Sequence, residues 1–103
     1  MSPIIPTEAG YVLLPAFAEP HAHLDKAFLA ERVDNPTGDL MGAIDAMARA
    51  RGSITLADTI ERAERAARLM AANGCTAIRT HVDLTLAGRL TSVAALIDVR
   101  DRL

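Results

Sequence analysis

Aromatic side chains are scarce in this chain of 103 residues: Tyr11, Phe17 and Phe28 are all it has, with no tryptophan. Proteins that hold unpaired bases stack them on such rings, so a single-strand nucleic-acid platform is excluded. A positive field is lacking too. Eleven basic residues stand against thirteen acidic ones for a formal charge of -2, which removes the electrostatic footprint of a nucleic-acid binder. Long apolar runs are also missing. The longest, Tyr11 to Ala18, falls far short of the roughly 20 residues that cross a bilayer, and the start lacks the basic segment of a signal peptide. The single cysteine, Cys75, excludes an internal disulfide framework and suits a reducing compartment. The expectation is a soluble, cytoplasmic protein with neither nucleic acid nor membrane as partner. Lysine is nearly absent, with Lys26 against ten arginines, a feature of genome composition rather than of function.

What is present is the material of a packed chain. Half of the residues are hydrophobic and 23% are charged, which excludes global disorder. The length allows one domain at most, and less than one is equally compatible with it. Residues 1–10 carry Pro3, Pro6 and Gly10 and read as a lead-in or linker, leaving 11–103 for the folded part. From Tyr11 to His23 nearly every residue is apolar, and Pro15 and Pro20 exclude a helix. A buried strand follows, and its continuous hydrophobicity predicts burial on both faces, the habit of parallel strands.

A loop from Asp25 to Gly38, with room for one helical turn, precedes a helix over Asp39–Arg51. Leu40, Ile44, Met47 and Ala48 share its face, and Gly52 is placed as its stop. Thr55 followed by Asp58 caps a second helix with an apolar stripe through Leu56, Ile60, Ala63, Ala67 and Met70, ended by Asn73-Gly74. Its acid-first pairs Asp58/Arg62, Glu61/Arg65 and Glu64/Arg68 predict a solvated outer face. Cys75–Asp83 alternates as a strand, and Leu90–Leu103 has helical register. This order is a βαβ unit with a following helix. It predicts an α/β fold on a parallel sheet, with open sheet edges that mark a piece of something larger.

The residues with chemistry cluster at strand ends. His21 and His23 lie two apart on a strand, so both side chains share a face with Cα atoms roughly 6.5–7 Å apart. Two imidazoles so placed can reach one Zn²⁺ or Fe²⁺ ion, although a hydrogen-bonded surface pair has the same spacing. Glu19, His21, His23 and Asp25 share parity, and burying such a row is costly unless something pairs with it. Arg79, His81 and Asp83 form a similar row on the second strand. His81 fits a ligand, a substrate contact or a partner of another ligand, and equally a histidine satisfied by Asp83 or a carbonyl. Asp25 and Lys26 read either as an ion pair at the mouth of the site or as loop charges. Cys75, at the far end of its strand, reads as a small core residue.

Taken together, LLPAFAEPHAHLDKAF and NGCTAIRTHVD resemble the metal-dependent amidohydrolase superfamily, in its cytosine deaminase-like branch. The resemblance runs from about Val12 onward. Pro15, Phe17, Glu19, Pro20, His21, His23, Leu24 and Asp25 match the first block, and Arg79, Thr80, His81, Val82 and Asp83 the second. It implies a partial (β/α)8 TIM barrel of which this chain holds the first two β/α units. It also implies that His21 and His23 ligate one divalent metal ion, Fe²⁺ or Zn²⁺, that Leu40 lines the substrate pocket, and that His81 and Asp83 border it.

The implied activity is hydrolysis of a C–N bond in a pyrimidine- or triazine-like ring by metal-activated water, with a small heterocycle as partner and room for a homo-oligomer of the full-length protein. The family's later ligands and its glutamate acid/base have no counterpart here. A complete barrel takes about 250 residues. The 103-residue chain is therefore expected to be an inactive amino-terminal segment. The alternatives are an amidohydrolase for another cyclic or acyclic amide, and a non-catalytic truncated module that associates with another chain.

Overall fold

Two strands running in the same direction need a long crossover between them. In the computed structural model, which describes Ile5–Pro6 and Gly10–Leu103, that crossover occupies most of the chain. Strand β1 (Ile5–Pro6) pairs antiparallel with β2 (Val12–Leu13), so part of the expected lead-in is paired backbone; residues 1–4 and 7–9 lie outside the described residues. Strand β3 (Phe17–Ala22) pairs in parallel with β4 (Cys75–Thr80), with Phe17 opposite Cys75 and Ala22 opposite Thr80. Between them lie two 3-10 turns, Leu24–Lys26 and Leu29–Glu31, then helices α1 (Leu40–Ala50) and α2 (Leu56–Ala72). Helix α3 (Thr91–Arg102) follows β4. The fold is α/β with a small parallel sheet.

Local chemistry explains the boundaries. The Asp39 carboxylate accepts the Gly42 N–H at 2.7 Å and caps α1, and the Thr55 hydroxyl accepts the Asp58 N–H at 3.1 Å and caps α2. Gly74, with φ +94, makes the left-handed turn that ends α2 and starts β4. Helix α1 ends at Ala50 with Arg51 as its cap, next to the expected stop at Gly52. Gly52 itself lies in a separate 3-10 turn, Arg51–Ser53.

The core lies between the sheet and α2. Ala63 and Ala67 of α2 meet Ala22, Leu24 and Val99, while Ala63 and Ala95 are fully buried. These methyl-sized contacts let α2 approach the strands and α3 closely. One expectation is corrected here. The strand expected over Tyr11–His23 to be buried on both faces is paired in the parallel sheet only over Phe17–Ala22, and of the whole run Ala22 alone is buried, because among the described residues the sheet around β3 has two strands. The apolar face of α1 is likewise open, with Leu40 at 75% and Ile44 at 51% exposure. No helix among the described residues is long and apolar enough to cross a membrane.

Close packing on alanine predicts a steep penalty for added volume. Ala63→Leu is expected to destabilise the fold by about 1–3 kcal/mol, whereas Ala57→Leu, exposed on the same helix, has little effect. Urea titrations of the two variants followed by circular dichroism check this, and equal midpoints would contradict the packing described.

Candidate functional site

Parallel pairing puts the carboxyl ends of β3 and β4 side by side. The ladder continues one residue beyond β4, where the His81 N–H donates to the Ala22 carbonyl at 2.7 Å. Alternation along β3 sends Ala22 and Leu24 into the core, leaving His21 and His23 exposed on the opposite side. Along β4, Thr76, Ile78, Thr80 and Val82 border an apolar groove against α2 and α3. His81 has the other parity and joins the first two histidines.

The three rings converge. The Nε2 atoms of His21 and His23 are 3.2 Å apart, and the His81 ring centroid lies 4.1 Å from that of His21 and 5.6 Å from that of His23. Two nitrogens bound to one tetrahedral metal at about 2.0–2.1 Å stand about 3.3 Å apart, so the pair fits two ligands of a single ion. A ring-to-ring hydrogen bond fits the same separation. Among the described residues no group of three or more His, Cys, Asp or Glu side chains is arranged to hold a metal ion. His21 and His23 are thus two converging donors with His81 packed beside them. Desolvation first, then the positive charges of His21, Arg79 and His23, hold His81 below the ordinary histidine range and favour its neutral ring.

The turn after His23 carries the charges. Asp25 is buried; its Oδ2 accepts the Asp83 N–H at 3.3 Å, and its buried Oδ1 has no hydrogen-bond partner among the described residues. Lys26 pairs chiefly with Asp83, and lies 3.9 Å from Asp25. The hydrogen bond from Lys26 leads in pulling the Asp83 carboxyl below its usual range, against a desolvation that pushes it up. Asp25, Lys26 and Asp83 border a polar hollow of about 220 Å³ together with Thr59 and Arg89. Leu40, in the first turn of α1, lines neither this hollow nor the apolar groove. Cys75, read from the sequence as a core residue, is only half-buried at the opposite end of β4.

Arg62 is the buried charge beside the site that the sequence reading placed in solvent. Its spacing from Asp58 suggested a solvated face, yet the side chain is 8% exposed. Nη1 donates to the carbonyls of Asp25 at 2.9 Å and Ala27 at 2.8 Å, Nη2 to the Thr59 hydroxyl at 3.3 Å, and Nε to Asp58 at 3.0 Å. A helical line through Thr59, Arg62 and Ala66, all buried, was the available signal. Of the other two pairs, Glu64/Arg68 forms, while Arg65 turns instead to Glu31 at 3.2 Å and lies over the Phe28 ring at 3.7 Å.

No family model matches the chain. It is 39% identical over 88 residues to a pterin deaminase of Rhizobium rhizogenes (strain K84 / ATCC BAA-868). The match takes in 84% of this chain and 20% of that protein, so the chain spans about a fifth of its relative's length. The likeness is to a deaminase, and to one named for a heterocyclic ring.

Asp58 connects the site to acid stability. Desolvation raises its pKa, but the hydrogen bonds and charges of Arg32 and Arg62 outweigh it and hold the carboxyl below 3.8. A depressed folded-state pKa stabilises the fold above the unfolded value, and that contribution fades as pH falls through the folded one. Urea melts of the protein and of Asp58→Asn should therefore differ clearly at pH 6 and converge as pH falls below the ordinary carboxylate range and through the depressed folded-state pKa. A gap independent of pH would show that the ionised carboxylate contributes nothing.

Proposed function

We propose that this chain forms the opening part of a metal-dependent deaminase of the amidohydrolase type. His21 and His23 bind one divalent ion, iron or zinc, and the reaction replaces the exocyclic amino group of a pterin-like or other pyrimidine- or triazine-containing ring by oxygen from water. The observation that carries the reading is the 3.2 Å convergence of the two Nε2 atoms at the carboxyl end of a parallel sheet. That is the end at which α/β enzymes assemble their sites. The likeness to a pterin deaminase supports the reaction class. The two β/α units are read as the first two of a (β/α)8 barrel.

A divalent metal lowers the pKa of water toward neutrality and so supplies hydroxide for hydrolysis. The chain's own residues do the rest of what is assigned to it. His21 and His23 present their Nε2 atoms from the end of β3 and from the start of the turn that follows it. His81, Asp83 and the Lys26 that pairs with it border the ring's polar edge. A catalytic metal takes about three protein ligands and keeps one position open. With two donors converging here, the remaining ligand and the acid/base group come from beyond these residues, and the 103-residue chain alone is expected to be inactive.

Metal analysis by plasma mass spectrometry of the intact protein, beside His21→Ala/His23→Ala, tests the proposal. The expected result is about one iron or zinc per chain, lost in the double variant. No metal above background, or metal unaffected by the substitutions, would make the pair a hydrogen-bonded couple of imidazoles and end the deaminase reading of this site.

A further inference from the structure

A buried arginine is expensive to keep where an apolar side chain of similar volume would pack as well. Arg62 is held in that state by four groups, and two of them are backbone carbonyls of the turn that follows His23. The turn begins at His23, whose carbonyl accepts the Lys26 N–H at 3.0 Å, and the Leu24 N–H donates to the Thr80 hydroxyl at 3.0 Å. His21 is held from the other side, in the irregular stretch of β3 between the paired residues Glu19 and Ala22, where its N–H donates to Glu19 Oε1 at 2.8 Å. His23 is therefore the joint between the sheet and a turn whose far end is fastened to α2. The guanidinium is rigid and planar, so one Nη1 gripping the carbonyls of Asp25 and Ala27 sets their separation and with it the path of the backbone leaving His23. Asp58 and Thr59 set the fork in turn, at Nε and Nη2.

We infer that Arg62 is a positioning residue that sets the angle at which the His23 imidazole meets that of His21. The inference rests on the proposed role of the pair for its significance in metal binding, but the geometry it concerns exists without metal. Arg62 touches neither ring. It acts through the turn, and it links the strand end that carries the donors to the helix that covers the core.

The test uses the intact protein and Arg62→Lys, which keeps the charge next to Asp58 and loses the fork. In the metal-free state the nuclear Overhauser effect between the His21 and His23 rings is expected to weaken. Cobalt(II) affinity, read from the visible absorption of the bound ion well below the melting temperature, is expected to fall by about 10- to 100-fold. A merely structural arginine predicts a lower melting temperature with both other readouts unchanged, and that result overturns the inference. Asp58→Ala leaves Arg62 in place but removes the acceptor of its Nε. It should show the same losses at smaller size, and carries the test if Arg62→Lys does not fold. Should the unsubstituted protein take up no cobalt, the proposed function fails, while the ring-to-ring effect still decides the part played by Arg62.

Discussion

The parallel pairing of β3 with β4 is the constraint on which the rest of this structure depends. Antiparallel strands would place His21 and His81 at opposite ends of the sheet. Parallel strands place them together, and the hydrogen bond from the His81 N–H to the Ala22 carbonyl closes the ladder where the rings meet. The crossover required by that direction is also what makes room for α2. The helix returns the chain to the start of β4 and, on its way, lays Arg62 under the turn that leaves β3. Topology and site are thus consequences of the same choice of strand direction.

Much of this was legible in the sequence. The cap Thr55, the stop at Asn73-Gly74 and the alternation on β4 are local signals, each set by a hydrogen bond or dihedral within a few residues. The parity of His21, His23 and His81 was also readable, because period-two alternation assigns a face without knowledge of the partner strand. Burial was harder to read. The run from Tyr11 to Phe17 looked like the inside of a protein, but hydrophobicity states what a strand prefers to touch and not whether it is covered.

Arg62 shows the opposite error. Charge and an acid four residues earlier describe a solvated helix face, and Asp58 does pair with it. The same guanidinium has donors left over, however, and buried carbonyls 35 and 37 residues away in sequence use them. Such long-range acceptors leave no mark on local periodicity. The pairing of Arg65 with Glu31 rather than Glu61 has the same cause: a loop that returns over α2 outbids the neighbouring turn of the helix.

Lys26 has a consequence of a different kind. It is the lone lysine among eleven basic residues, and its amine is engaged by Asp83 at the rim of the site. A reagent selective for primary amines therefore has a single side chain to find, and its rate reports how tightly that ion pair is closed. The arginines are silent to such chemistry, so the arginine-rich composition that carries no functional meaning in itself turns Lys26 into a built-in sensor beside the histidines.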